Sequence, residues 1–100
     1  MADVEKLYSD HSFVADLRRL AKYTSQIVWS HHAKKRMKER DVSTQQVLNV
    51  LRSGTIHEPV YFDNINGSWR ATLRRTAAGV EVKVGVAIDL AESVIVITVI

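Results

Sequence analysis

The sequence predicts an α+β fold in which two or three N-terminal helices pack on a twisted antiparallel β-sheet of about four strands. Apolar residues recur at helical spacing up to Gly54 and alternate with polar residues after it. Pro59 and the Asn66-Gly67 pair are typical of an edge strand and of a hairpin turn, respectively. The chain has 100 residues and no cysteine, so we expect a single domain spanning 1–100, without disulfides or zinc–thiolate sites.

The first two helices are predicted on either side of a short break. Apolar residues between positions 13 and 21 recur at helical spacing, and Asp10 or Ser12 can cap this helix. Residues 27–29, Ile-Val-Trp, are a short β-prone stretch or a loop held in the core. Ser30 can then cap a second helix with the sequence HHAKKRMKER.

The third helix has the clearest signals at its ends. Ser43 and Gln46 have the spacing of a capping box, and Val42 and Val47 have the spacing of a hydrophobic staple. Gly54 follows the last turn, where glycine commonly ends a helix.

Four strands are predicted after this helix. The first, 55–62, contains Pro59 and is therefore assigned to an edge. A turn at 63–67 leads to a second strand at 69–76, and a third follows at 80–88. The last strand, VIVITVI, is apolar on both faces and is therefore expected to be central in the sheet.

The net charge of +3 is distributed in two basic segments. Residues 30–43 and residues 68–76 each carry a net charge of +3, and acidic segments elsewhere offset them. A sum of +3 is weak evidence for nucleic-acid binding, but two local clusters could each form an anion site.

The composition also predicts a location. The longest apolar run, at 94–97, is far below the ~20 residues that span a bilayer. The acidic start at residues 1–6 does not resemble a signal peptide. Together with the absence of cysteine, these features predict a soluble cytoplasmic protein with no membrane contact.

The second helix carries a stripe of cationic and titratable side chains. His32, Arg36 and Arg40 recur every four residues, while Ala33 and Met37 occupy the neighbouring stripe that would face the core. Because like charges at this spacing repel, an anionic partner is one explanation. The alternative is an ordinary solvated helix face with a hydrogen-bonded imidazole.

The segment from Ser30 to Arg40 reads Ser-x-His-Ala-x-x-Arg-Met-x-Glu-Arg and is followed by Val42-Ser43 and a helix that ends at Gly54. This pattern resembles the signature of a bacterial and phage family labelled as a domain of unknown function, whose members resemble the RelE/ParE-like toxin fold. The resemblance covers residues 27–100 and leaves residues 1–26 as an N-terminal helical extension.

The resemblance implies membership of a superfamily rich in toxins of toxin–antitoxin systems. Many of these are metal-independent ribonucleases that cut messenger RNA, some on the ribosome, whereas the ParE branch acts on a protein target. The leading hypothesis is therefore a toxin-like endoribonuclease of the mRNA interferase type, without a cofactor or metal. Its expected partners are RNA, the ribosome and a cognate antitoxin.

Metal-independent RNA cleavage requires a base, an acid and fixed positive charge around the phosphate. The candidate catalytic residues are His32, His57 and Tyr61, although Tyr61 beside a proline at a sheet edge is also typical of packing. The candidates for holding RNA phosphates are Arg36, Arg40, Arg70, Arg74 and Lys35. Strand alternation places Arg70 and Arg74 on one face and Trp69 on the other, in the core.

Two further hypotheses remain open. A non-catalytic module of the same fold could bind an acidic protein or a nucleic-acid backbone through the basic clusters. A metal-dependent hydrolase is less favoured, because the adjacent His31 and His32 point in different directions on a helix and no carboxylate cluster accompanies them. The ribonuclease hypothesis predicts that the two basic clusters converge around His32.

Overall fold

The computed structural model describes residues 8–89 and 93–100. In chain order the elements are α1 (Asp10–Ala21), a 3-10 turn (Thr24–Gln26), β1 (Ile27–Trp29), α2 (His31–Arg40), α3 (Thr44–Ser53), β2 (Thr55–Asp63), β3 (Ser68–Ala77), β4 (Val80–Ile88) and β5 (Val94–Val99). The predicted α+β class is confirmed. The acidic start at residues 1–6 and most of the connection before the last strand lie outside the described residues.

The start of α1 differs from the prediction. Its cap is Ser9, whose side-chain oxygen accepts a hydrogen bond from the Ser12 main-chain N–H at 3.0 Å. Asp10 is the first helical residue, and its carboxylate accepts a hydrogen bond from the Val60 N–H in β2 at 2.9 Å. Asp10 and Ser12 were therefore wrong as caps, because the helix begins one residue earlier than the apolar pattern alone indicates.

The predicted ends of α2 and α3 are confirmed. Ser30 caps α2 by accepting a hydrogen bond from the Ala33 N–H. Ser43 and Gln46 form both hydrogen bonds of a capping box at the start of α3, and Gly54 is its C-cap. The two N-terminal caps can be predicted from the local sequence because each satisfies main-chain donors that the first helical turn leaves without partners.

The five strands form one mixed sheet in the order β1-β5-β4-β3-β2. β2 through β5 pair antiparallel, as predicted, but Ile27–Trp29 adds a fifth strand that is parallel to β5. The last strand therefore lies between β1 and β4, which confirms its central position. β2 is an edge strand with two register shifts between Ile56 and Tyr61, consistent with the proline at position 59.

The core lies between one face of the sheet and helices α1 and α3, and we call this face the inner face. Phe13 and Leu17 of α1 and Leu51 of α3 are completely buried in it. The sheet contributes the alternate apolar side chains of its central strands, namely Trp69, Ala71, Leu73, Val82, Val84, Val86, Ile88, Val94 and Val96. None of the helices in residues 8–89 and 93–100 has the length and apolar character needed to cross a membrane.

Candidate functional site

Strand alternation places a row of polar side chains on the opposite face of the sheet, which we call the outer face. Trp69 of β3 is buried on the inner face, as predicted. Its neighbours Arg70, Thr72 and Arg74 lie on the outer face, where their cross-strand partners in β4 are Ala87, Gly85 and Lys83. The predicted placement of Arg70 and Arg74 on one strand face is therefore confirmed.

A groove of about 480 Å³ opens on the outer face, and we call it the sheet groove. Its polar side chains come from three strands and are Glu58, Tyr61, Arg70, Thr72 and Thr98, and the fourth strand, β4, contributes Gly85. In the strand register Glu58 is paired with Thr72 and Tyr61 with Arg70. Because cross-strand partners have Cβ atoms about 5 Å apart, the carboxylate, the phenol and the guanidinium occupy one small area.

Arg70 is held from the Nε side of its guanidinium. The Nε donates to the Ser68 hydroxyl at 3.2 Å and lies 3.1 Å from a carboxylate oxygen of Asp63. The side chain of Arg70 is 23% exposed. Because these contacts use only Nε, the two terminal nitrogens of Arg70 have no partner among the described residues and can bind a second, bidentate acceptor such as a phosphate.

Asp63 is fixed in turn by the hairpin that connects β2 and β3. Its carboxylate accepts hydrogen bonds from the Ile65 N–H at 2.9 Å, the Asn66 N–H at 3.3 Å and the Asn66 side-chain amide at 2.7 Å. The hydrogen bond from the Asn66 side-chain amide is the largest cause that lowers the pKa of Asp63 below its ordinary value of 3.8. Desolvation opposes it, and the two main-chain donors and the charge of Arg70 each lower the pKa further by less. Arg70 therefore has an ionised and rigidly held counterion.

Glu58 is a groove residue that the sequence reasoning missed. Its carboxylate accepts a hydrogen bond from the Thr72 hydroxyl at 2.9 Å, and Thr72 is only 8% exposed. No ion pair neutralises Glu58 in the described part of the chain. The signal for it was weak, because two register shifts in β2 prevent a simple alternation count from assigning Glu58 to a face.

Gly85 gives the groove its depth on the β4 side. A Cβ atom at this position would lie 2.9 Å from Cγ2 of Thr98 in β5. Because Gly85 has no side chain, the side chain of its cross-strand partner Thr98 can approach the β4 backbone closely. The β4–β5 register shifts at this point.

Two residues of the sequence signature on α2 have partners at the edge of β5. β1 pairs with β5 only at residues 94–96. Beyond this point the Ser30 hydroxyl donates to the Ile97 carbonyl at 2.9 Å, and Arg36 Nε donates to the Val99 carbonyl at 3.1 Å. Arg36 Nη1 also contacts Glu39 at 3.3 Å. α2 thus covers a sheet edge whose carbonyl groups would otherwise lack strand partners.

The other predicted site residues lie outside the sheet groove. His32, Lys35 and Arg40 are exposed on α2, and His57 is exposed where β2 bulges. Arg74 is on the outer face but contacts Glu81 at 3.7 Å, and Lys83 contacts the same carboxylate. Among the candidates, only Tyr61 and Arg70 line the groove together.

The two basic clusters are separated by the width of two strands. α2 packs along β5, and β4 lies between β5 and the arginines of β3. At a strand spacing of about 4.8 Å, this arrangement puts β5 and β3 about 10 Å apart. No α2 side chain lines the groove, and the part of the chain that is described contains no cluster of three histidine, aspartate or glutamate side chains suited to a metal ion.

These features define a small α+β protein with a polar groove on the sheet face opposite α1 and α3 and a basic helix at the sheet edge. The family model described as a domain of unknown function, DUF4258, matches residues 29–100. The chain therefore belongs to this family, and the matched range includes the signature on α2 and all strands except most of β1. No curated protein and no solved structure matches the chain.

Proposed function

We propose that this protein is a toxin-like, metal-independent endoribonuclease whose active site is the sheet groove. The observation that carries the proposal is the position of Arg70, which Asp63 and Ser68 hold by Nε beside Tyr61 and Glu58. A fixed guanidinium, a carboxylate and a phenol can supply the positive charge, the base and the acid that metal-independent RNA transesterification uses.

In the proposed reaction Glu58 acts as the base. Its carboxylate removes the proton from a ribose 2′-hydroxyl, and the 2′-oxygen then attacks the adjacent phosphorus. Arg70 stabilises the extra negative charge on the phosphate oxygens through its terminal nitrogens. The bond from phosphorus to the 5′-oxygen breaks, and Tyr61 donates a proton to that oxygen. The products are a 2′,3′-cyclic phosphate and a 5′-hydroxyl.

This assignment differs from the sequence hypothesis in the identity of the base. His32 and His57 are chemically suitable, but both lie outside the groove that contains Arg70. Glu58 lies inside it and is oriented by the buried Thr72 hydroxyl. We therefore propose Glu58 and Tyr61, rather than the two histidines, as the catalytic residues.

The direct test is incubation of the purified protein with a 5′-labelled single-stranded RNA in the presence of a chelator. We expect fragments ending in a cyclic phosphate, and no cleavage at a position where the 2′-hydroxyl is replaced by hydrogen. Glu58→Gln should lower the rate by about 10²-fold or more, and Tyr61→Phe should also lower it.

Matched controls are available outside the groove. Glu39→Gln on α2 and Tyr23→Phe, which changes a tyrosine that is 64% exposed, should leave the rate unchanged. If the wild type does not cut RNA and its induction in cells does not slow growth, the proposal is wrong. If His57→Ala or His32→Ala abolishes cleavage and Glu58→Gln does not, the assignment of the base is wrong.

A second candidate is a non-catalytic binding module, and the charge balance of the outer face favours it. Arg70 is paired with Asp63, while Arg74 and Lys83 share Glu81, so this face has little net positive charge with which to stabilise the transition state of cleavage. A module of this kind would bind RNA or an acidic protein without producing fragments. Saturable, salt-dependent RNA binding that weakens in Arg70→Ala, without cleavage, would support it.

A toxin-like ribonuclease in a cytoplasm also needs a neutralising protein, so we propose a cognate antitoxin as a partner. The proposal extends to RNA on the ribosome as a substrate. Co-expression of the neighbouring gene product should restore growth in cells that are arrested by the wild type.

A further inference from the structure

A second concave surface lies beside α2, between the end of β1 and the start of α3. It is a hollow of about 360 Å³ lined by Trp29, Lys34, Met37 and Thr44, and we call it the α2 hollow. Trp29 and Met37 are only partly buried and pack against the core from outside, so the hollow has an apolar floor. The sheet groove shares no lining residue with it.

Helix α2, which supplies Lys34 and Met37 to the hollow, is strongly basic. Five of the ten residues of α2 are Lys or Arg and only one, Glu39, is acidic. Arg36 takes Glu39 as its partner. Lys34, Lys35, Lys38 and Arg40 are exposed, and no ion pair neutralises them within the described ranges.

The spacing of these lysines places charge beside the apolar floor. Lys34 lines the hollow, and Lys38 follows it after one helical turn on the same stripe of α2. Two lysines at this spacing repel each other, so the isolated helix gains nothing from the arrangement. An occupant with carboxylates along one side would relieve the repulsion while it buries Trp29 and Met37.

We propose that the α2 hollow docks an acidic amphipathic helix of a partner protein. Leucine-like side chains of that helix would cover the apolar floor, and its glutamates would lie along Lys34 and Lys38. A second copy of this chain fits poorly, because self-association through this surface would bring two basic helices together. An RNA backbone would satisfy the lysines but would leave the apolar floor exposed.

The test uses ¹⁵N-labelled full-length protein and a synthetic peptide of about 15 residues, long enough for about four helical turns. The peptide carries leucine at positions i, i+3, i+4 and i+7 and glutamate elsewhere. We expect saturable shifts of the Trp29 indole N–H and of the Met37 and Thr44 amides. Raising the salt concentration from about 0.05 M to 0.5 M should weaken binding about tenfold.

Two charge reversals form a matched pair. Lys34→Glu changes the rim of the hollow, whereas Lys22→Glu makes the same charge change at the exposed end of α1. Lys34→Glu should weaken peptide binding about tenfold more than Lys22→Glu does. A peptide with serine in place of every leucine should not bind, because it lacks the side chains that cover Trp29 and Met37.

Three results would overturn the proposal. The first is equal weakening by Lys34→Glu and Lys22→Glu, and the second is a peptide footprint on the sheet groove at Arg70 and Thr98. The third is a single-stranded RNA that produces the same Trp29 and Met37 shifts and displaces the peptide. The measurement does not depend on RNA cleavage, so it tests the docking proposal whether or not the protein is a ribonuclease.

Discussion

The guanidinium Nε of Arg36 donates a hydrogen bond to the main-chain oxygen of Val99 at 3.1 Å, which joins α2 to the last strand. Together with the bond from the Ser30 hydroxyl to the Ile97 carbonyl, it occupies the edge of β5 where β1 has ended. Two polar positions of the sequence signature therefore have a structural role in closing the sheet edge. An open edge of this kind would otherwise be available for pairing with another chain.

Arg36→Ala should lower the free energy of unfolding by about 1–2 kcal/mol, because it leaves the Val99 carbonyl without its donor. Arg36→Lys should recover only part of this loss, since one ammonium group cannot reproduce both the Nε bond and the contact to Glu39. Denaturant unfolding is the measurement. Arg40→Ala, an exposed arginine on the same helix, is the control and should change stability by less than about 0.5 kcal/mol. Equal losses in the two alanine variants would contradict the edge role.

The sequence predicts those parts of this molecule that depend on short-range order. The capping box of Ser43 and Gln46 forms because both residues lie within one helical turn. The alternation in β3 correctly separates Trp69 from Arg70, because β3 pairs with β4 without a register shift. In the same way, the apolar character of the last strand correctly indicates its central position.

The parts that were not predicted depend on contacts between distant segments. Arg36 meets a carbonyl 63 residues away, which no local pattern encodes. The parallel pairing of Ile27–Trp29 with β5 is likewise long-range. Glu58 was missed because the bulges of β2 shift its register, and the separation of the two basic clusters follows from the strand order rather than from their spacing in the sequence.

Gly85 and Thr98 should show a strong energetic coupling. Gly85→Ala introduces a Cβ atom 2.9 Å from Thr98 Cγ2, so we expect a loss of about 1–2 kcal/mol from overpacking. Thr98→Ser removes the Cγ2 atom and should restore most of this stability when the two changes are combined. A double-mutant cycle in denaturant measures the coupling. Strictly additive effects of the two substitutions would show that the close approach does not constrain this position.

Thr72→Val should reduce RNA cleavage more than it reduces stability. The substitution keeps the shape of a nearly buried side chain but removes the hydroxyl that orients Glu58. We expect kcat to fall about tenfold, with a change of about 1 kcal/mol in unfolding free energy. Thr76→Val, at an exposed position of the same strand, is the matched control and should leave kcat unchanged. A folded Thr72→Val protein with the wild-type kcat would remove Thr72 from the proposed site.

Asp63→Asn should abolish an acid-sensitive part of the protein's stability. The pKa of Asp63 in the folded protein is lowered below 3.8, first by the side-chain hydrogen bond from Asn66 and also by Arg70. Its stabilising contribution is therefore complete above the pKa of the unfolded chain and is lost as the pH falls through the lower folded pKa. Denaturant unfolding from about pH 6 to about pH 2 should show a wild-type advantage over Asp63→Asn that is constant above about pH 5 and shrinks below about pH 4.

The control for this pH profile is Asp41→Asn at the end of α2. Asp41 has a positive φ of 54°, which asparagine also tolerates, and no hydrogen bond or ion pair involves its carboxylate in the described residues. Asp41→Asn therefore controls for the loss of one negative charge alone. If the Asp63→Asn difference also stays constant down to about pH 2, the turn does not hold an ionised carboxylate, and Arg70 loses its proposed anchor.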